Sequence, residues 1–191
     1  MKFKICLIVL AFLCLVFSGL VFAESFLEIT SVVSVHDNTQ TRARIIAGGF
    51  LVIEDIILYE DKSILLPHYK VIDGFELPQV EIIDPDLKNK IIESVRSGAE
   101  TRQINTAIEF KISEINILKK NSSRKANAVI VFNNSIAVHC GVMQGKKGLW
   151  VAWPAKKDEA GKYGNIVYVL NKKLKSDVEK AIIDKYLSKI N

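Results

Sequence analysis

The chain has 191 residues, of which 49% are hydrophobic and 25% are charged, and its formal net charge is +5. This composition can build a core in one or two domains and excludes a low-complexity chain. The charge is uneven: residues 24–107 hold 8 Lys+Arg and 14 Asp+Glu, a net of −6, whereas residues 108–191 hold 16 and 7, a net of +9. Opposite halves favour mutual attraction, or contact of one half with an anionic partner.

The first 23 residues have the pattern of a secretory signal peptide. Two lysines precede an almost wholly apolar run over residues 5–22, and Val21 and Ala23 occupy the −3 and −1 positions of a cleavage site. The alternative is an uncleaved N-terminal anchor, since the run approaches the ~18 residues of a membrane span. Cleavage would export the protein to a periplasmic or other extracytoplasmic space. Cys140 would then be the remaining cysteine, which excludes an intramolecular disulfide.

The rest of the chain contains the same pattern twice, at a constant offset of 87 positions. Pro67, Gly74, Leu87 and Val95 recur as Pro154, Gly161, Leu174 and Ile182. A constant offset across a proline, a glycine and helical apolar positions indicates duplication of one supersecondary unit. We therefore predict a first module over residues 24–97 (copy one), a linker over residues 98–108, and a second module over residues 109–191 (copy two).

Copy one is predicted to be a set of antiparallel strands followed by one helix. The strand patterns cover residues 27–35, 42–47, 50–59, 64–66 and 80–83. Gly48 and Gly49 supply the positive φ that a tight hairpin turn requires. Asp84 and Pro85 are an N-cap and a first-turn proline, and apolar residues at helical spacing follow them.

Copy two repeats this order. Its strand patterns cover residues 110–118, 126–132, 136–143, 149–153 and 165–170, with an Asn133-Asn134 turn and Asn171 as the helix cap. The offset is 83 between Ile29 and Ile112, and we attribute the difference to longer turns in copy two. The predicted fold class is α+β, with two modules that are each an antiparallel sheet followed by a C-terminal helix.

Basic residues of copy two are the candidate binding residues. Lys156 and Lys157 follow a proline and precede a glycine, so we expect them on a loop at a sheet edge. Lysines there would neutralise phosphates with a salt-dependent affinity. The ligand could be nucleic acid, an anionic lipid headgroup or a cell-wall polymer, and the alternative is an ordinary solvated lysine-rich surface. The predicted set is Arg124, Lys125, Lys146, Lys147, Lys156, Lys157 and Lys162.

Other residues that could bind a ligand or catalyse a reaction are better explained by structural roles. Trp150 and Trp153 could stack bases, but they lie three positions apart, so we expect one in the core and the other exposed or at an interface. His139 and Cys140 are adjacent on a strand and point to opposite faces, which disfavours a catalytic pair. The sequence offers no set of four zinc ligands and no phosphate loop or hydrolase motif. We therefore predict no enzyme activity, no metal, no cofactor and no small-molecule substrate.

Copy two resembles the SpoVG family, the stage V sporulation protein G septation regulators. The run Lys146-Lys147-Gly148-Leu149-Trp150-Val151-Ala152-Trp153-Pro154-Ala155-Lys156-Lys157 is similar to the family's Gly-Leu-Phe-Val-Ala-Met-Pro-Ser pattern and the basic residues after it. The resemblance covers about residues 109–190. Copy one matches more weakly: its segment from Val52 to Ile56 is close to the family's Val-Val-x-Asp-Ile, but Tyr69-Lys70 replaces the basic pair.

The resemblance implies a non-enzymatic, dimeric bacterial regulator of cell division and sporulation that binds DNA or RNA. In this chain we expect copy one to pair with copy two as an intramolecular pseudo-dimer, or the chain to form a homodimer. The predicted function is binding of a polyanion through the basic loop of copy two. The alternative is an exported structural or protein-interaction module that has lost nucleic-acid binding.

Overall fold

A computed structural model describes residues 27–37, 39–70, 76–98, 107–119 and 122–191. The predicted signal peptide and most of the predicted linker lie outside these ranges, and so does Gly74 of the repeated pattern. In the part of the chain that is described, no helix is both long and apolar enough to cross a membrane.

Within the described residues, each copy folds into seven strands and one helix. Copy one contains β1 (Ile29–His36), β2 (Gln40–Ala47), β3 (Leu51–Tyr59), β4 (Ile64–Leu65), β5 (His68–Lys70), β6 (Glu76–Pro78), β7 (Val80–Ile82) and α1 (Pro85–Ser97). Copy two contains β8 (Phe110–Ile117), β9 (Arg124–Phe132), β10 (Ile136–Gly145), β11 (Gly148–Ala152), β12 (Ala155–Lys157), β13 (Tyr163–Asn165), β14 (Val167–Val169) and α2 (Lys172–Ile190). From β4 onward, each element of copy two begins 87 positions after its counterpart in copy one, apart from β11, which begins three residues earlier.

The strands form two five-stranded antiparallel sheets and two two-stranded ribbons. Sheet one has the order β1-β2-β3-β14, and β4 also pairs with β3. Sheet two has the order β11-β10-β9-β8, and β7 also pairs with β10. The ribbons are β5–β6 and β12–β13. The predicted α+β class, with antiparallel sheets and a helix after each, is confirmed.

One strand of each copy belongs to the sheet of the other copy. Val80 of β7 pairs with Val138 of β10, and Val167 of β14 pairs with Ile53 of β3. The chain then returns, because α1 packs against β1 and β2 whereas α2 packs against β8 and β11. Each sheet is therefore completed by a strand from the other half of the sequence.

The apolar residues of the two copies form one continuous core. The exchanged residues Val80 and Val167 are buried in it, and the rings of Phe50 and Phe132 lie 5.5 Å apart between centroids where the two hairpins meet. Full burial of one such side chain contributes roughly 1.5–3 kcal/mol. The buried helix residues are Leu87, Ile91 and Val95 on α1 and Val178, Ile182 and Tyr186 on α2.

Turns and caps follow the predicted residues. Gly48 and Gly49 have φ values of 59° and 73°, and Asn133 and Asn134 have values of 46° and 52°. Both pairs are the central residues of tight turns in which the amides of Phe50 and Ser135 donate to the carbonyls of Ala47 and Phe132. Positive φ at both central positions matches the twist of the flanking strands. The side chain of Asp84 accepts a hydrogen bond from the amide of Asp86, and Asn171 caps α2 in the same way. These predictions are confirmed.

The first strand of each copy contains the same bulge. The hydroxyl of Thr30 donates to the carbonyl of Ile46, and the hydroxyl of Ser113 donates to the carbonyl of Val129, both at 3.1 Å. The two bulges lie 83 positions apart, which is the offset that the sequence shows at this strand.

The offset first changes, from 83 to 85, within a strand. Ala47 pairs with Leu51 and Phe132 pairs with Ile136, so the central hairpin turns of the two copies have the same length and lie 85 positions apart. The bulge partners Ile46 and Val129 lie 83 positions apart, so β9 has two extra residues between the bulge and the turn. Our attribution of the drift to longer turns is therefore wrong at this point.

Substitution of the two turn glycines should separate backbone strain from steric overlap. A Cβ atom at Gly48 would lie 2.6 Å from Cε1 of the buried Phe50, whereas a Cβ at Gly49 would have no neighbour within 4 Å. We expect Gly49→Ala to cost about 1 kcal/mol because of its positive φ, and Gly48→Ala to cost about 1–3 kcal/mol more. Urea unfolding measures both. Equal losses in the two variants would contradict the steric argument.

Candidate polyanion-binding surface

The structure separates the seven predicted cations of copy two into two groups. The end cluster consists of Arg124 and Lys125 at the start of β9 and Lys146 and Lys147 in the turn between β10 and β11. The basic ribbon consists of Lys156 and Lys157 on β12 and Lys162 in the turn before β13. Strand β11, about 17 Å long at ~3.3 Å per residue, lies between the two groups, so they are separate sites.

The end cluster is held together by the ladder of sheet two. Arg124 lies opposite Met143, and the amide of Gln144 donates to the carbonyl of Ser123 at 2.7 Å. The turn that carries Lys146 and Lys147 follows directly. Within the described residues, Arg124, Lys146 and Lys147 form no ion pair, so their charges are available to a ligand.

The two tryptophans lie on opposite sides of sheet two, as the spacing predicts. Trp153 is 5% exposed, and its Nε1 donates to Glu179 of α2 at 2.8 Å. Trp150 is 50% exposed and lies opposite Met143 on the outer face of the sheet. Trp153 therefore belongs to the core, and Trp150 is an aromatic side chain available at the surface.

Lys156 and Lys157 lie on a strand, where the sequence predicted a loop. Lys157 pairs with Tyr163 across the ribbon β12–β13. The turn between these strands is fixed because the carboxylate of Asp158 accepts a hydrogen bond from the amide of Lys162, and Gly161 has a φ of 78°. Three-residue strands without apolar alternation carry too weak a pattern to be read from the sequence.

Lys156 binds the other copy. Its Nζ lies 2.6 Å from Oδ2 of Asp55, which has a φ of 60° where β3 bulges opposite Arg44. The side chains of Lys156 and Asp55 are 58% and 28% exposed, so this ion pair is worth at most about 1 kcal/mol. Lys156 orients the basic ribbon against sheet one, and its charge is already compensated there.

Lys157 faces the other way, because adjacent strand residues point to opposite sides. Its Nζ lies 5.2 Å from the centroid of the Tyr163 ring, and this ring is 67% exposed. Lys162 is also exposed. Sequence reasoning did not select Tyr163. The sequence signal that could have found Tyr163 is an aromatic residue next to a lysine in a polar segment. The position of Tyr163 opposite Lys157, however, depends on formation of the ribbon.

The corresponding ribbon of copy one has a different surface. At the position equivalent to Lys156, 87 residues earlier, β5 carries Tyr69, which lies exposed opposite the exposed Leu77 of β6. Copy one therefore keeps the ribbon but carries an aromatic residue at the position of Lys156, whereas Lys70 occupies the position of Lys157.

Each exchanged strand also makes a side-chain contact with the other copy. Nε2 of His139 lies 2.7 Å from Oε1 of Glu81, and the hydroxyl of Tyr168 donates to Oε1 of Glu54 at 3.1 Å. Arg44 donates to the Tyr168 hydroxyl and pairs with Glu54, and the hydrogen bond with Tyr168 raises the pKa of Arg44. These polar contacts hold the outward-facing side chains of both exchanged strands, β7 and β14, against the other copy.

Cys140 and His139 do not meet. The thiol of Cys140 is buried, and this burial raises its pKa, which opposes formation of a nucleophilic thiolate. His139 points outward to Glu81. In the ranges that the structure describes, no three His, Cys, Asp or Glu side chains are placed to hold a metal ion.

Comparison with known proteins identifies the family. Residues 108–188 match the SpoVG family model. The chain is 30% identical over 80 residues to the candidate septation protein SpoVG of Clostridium novyi, covering 40% of this chain and 80% of that protein. It is 33% identical over 82 residues to the candidate septation protein SpoVG of Acetivibrio thermocellus, covering 41% of this chain and 87% of that protein. The chain therefore belongs to the SpoVG family, with the family domain in copy two.

Proposed function

We propose that this SpoVG-family protein is a non-enzymatic septation or regulatory protein that binds a polyanion through copy two. The observation that carries the proposal is the basic ribbon, which presents Lys157, Lys162 and Tyr163 to solvent together. This ribbon lies in the half of the chain with a net charge of +9. Family resemblance favours DNA or RNA as the polyanion, and an anionic envelope component has the same phosphate or carboxylate chemistry.

Lys157 and Lys162 are the principal contacts in this proposal. Lys156 serves to position the ribbon, because its charge is paired with Asp55. Each lysine that neutralises a phosphate releases a counterion, so affinity falls linearly with the logarithm of the salt concentration. The number of contacts can therefore be measured as a slope.

Reversing two ribbon charges should weaken binding and flatten its salt dependence. We expect Lys157→Glu with Lys162→Glu to reduce affinity about tenfold at moderate salt and to reduce the slope by about 1.5. Fluorescence anisotropy with labelled DNA and RNA, and flotation with anionic vesicles, measure this. Lys156→Glu is unsuitable because it also breaks the ion pair with Asp55.

The matched control is Lys88→Glu with Arg96→Glu, which reverses two exposed cations on α1 of copy one. We expect this control to bind as the unchanged protein does. Unchanged binding of the ribbon variant to every probe would contradict the proposal that the ribbon carries the binding. Absence of binding of the unchanged protein to every probe would favour the alternative, an exported structural or interaction module without nucleic-acid binding.

We also propose that the two copies act as an intramolecular pseudo-dimer. The strand pairs β7–β10 and β14–β3 and the shared core support this arrangement. A protease site inserted within residues 99–106 allows the chain to be cut between the copies. Because the contacts are mainly apolar, the halves should co-elute with the mass of one chain even at about 1 M salt, where the Debye length is only ~3 Å. Separation at high salt would contradict the proposal, and a doubled mass would indicate a homodimer.

The location of the protein is part of the same proposal. The apolar segment over residues 5–22 supports export, with cleavage after Ala23. N-terminal sequencing of protein from the extracytoplasmic fraction should begin at Glu24. A chain that stays in the membrane fraction and begins at Met1 would show an uncleaved anchor.

A further inference from the structure

We infer that the outer face of sheet two holds a stacking site for the unpaired bases of a single-stranded nucleic acid. The site consists of Arg124, Met143 and Trp150, which lie in one row across β9, β10 and β11. The inference rests on the proposed polyanion binding and names the ligand class for it. It adds a site separate from the basic ribbon.

Two glycines of β10 make room for the planar groups of this row. A Cβ atom at Gly141 would lie 3.1 Å from Nε of Arg124, and a Cβ at Gly145 would lie 3.5 Å from Nε1 of Trp150. Gly141, Met143 and Gly145 alternate along the strand and share its outer face. The guanidinium and the indole therefore lie against the bare backbone on either side of Met143.

The row has room for planar groups on both sides of Met143. Gly141 and Gly145 are four residues apart, about 13 Å at ~3.3 Å per residue. The half-buried thioether of Met143 is an adaptable apolar floor between them. The opposite face of β10 is closed, because Cys140 and Val142 are buried in the core. A ligand can approach from the outer side alone.

The positive charges around Trp150 favour a nucleic acid over an apolar protein partner as the ligand of this site. Lys146 and Lys147 lie in the turn next to Trp150, and Arg124 lies on its other side. An exposed aromatic ring provides a π-face for a base of any sequence, and the cations around it neutralise the phosphates. A chain with alternating bases and phosphates matches both features together.

The same face continues into a depression. A cavity of about 550 Å³ begins at His139, the outward neighbour of Gly141 on β10, and its floor includes Val129, Val131 and Ala137. Its lining carries one cation, Lys111, and two carboxylates, Glu81 and Glu114. The carboxylates oppose entry of a phosphate backbone, so the proposed path of the nucleic acid ends at Arg124.

Trp150 itself reports on the interaction. The chain has two tryptophans, and Trp153 is buried, so a change of fluorescence on binding arises at Trp150. The probes are oligo(dT) of about 12 nucleotides, within the range of single-strand site sizes, a DNA duplex, and inorganic polyphosphate, which has charge but no bases. We expect oligo(dT) to quench the fluorescence and polyphosphate to leave it unchanged.

Substitution of Trp150 provides the decisive comparison. Loss of one stacked base costs about 1–3 kcal/mol, so Trp150→Ala should weaken oligo(dT) binding about tenfold or more. Binding of polyphosphate and of the duplex should not change, and Trp150→Phe should recover most of the oligo(dT) affinity. Circular dichroism confirms that the variants are folded.

Two outcomes overturn the inference. One is an oligo(dT) affinity that Trp150→Ala leaves unchanged while Lys157→Glu with Lys162→Glu weakens it, and in that case the proposed polyanion binding stands. The other is an equal loss for oligo(dT) and polyphosphate, which would show that Trp150 supports the fold of a charged surface. Failure of every probe to bind the unchanged protein would overturn the proposed function as well.

Discussion

The reciprocal exchange of β7 and β14 is the constraint on which the rest of the structure depends. Both exchanged strands are three residues long, and both find their sheet partners in the other copy. The helix that follows each strand must then return to its own sheet. The chain therefore passes through the shared core twice. The elements at the surface are positioned by contacts with both copies.

The exchange also separates the residues that the fold requires in both copies from the surface residues that differ between them. Residues such as Val80 and Val167 are fixed by burial, and the caps Asp84 and Asn171 are fixed by the helices that follow. The ribbons carry no such requirement, since they project from the core and pair mostly with themselves. The ribbon of copy two carries Lys156 and Lys157, whereas copy one carries Tyr69 at the position of Lys156 and keeps Lys70 at the position of Lys157.

Much of this architecture could be predicted from sequence because it depends on local chemistry. Turn residues with positive φ, such as Gly48 and Asn134, and helix caps act over a few positions, and apolar alternation marks the longer strands. The exchange of strands could not be predicted, because Val80–Ile82 reads the same whichever sheet it joins. The ribbons consist of three-residue strands, which are too short to show a periodic pattern. The Lys156–Asp55 pair joins residues 101 positions apart, which a local pattern does not contain.

The ion pair between Lys156 and Asp55 has a consequence for symmetry. A homodimer of copy two would present two identical basic ribbons, related by a two-fold axis. In this chain the ribbon of copy two is anchored through Lys156 by Asp55 of the other copy, whereas the ribbon of copy one carries Tyr69 at the position of Lys156. The two ribbons of one chain are therefore not equivalent, and the relation between the two copies is only approximately two-fold.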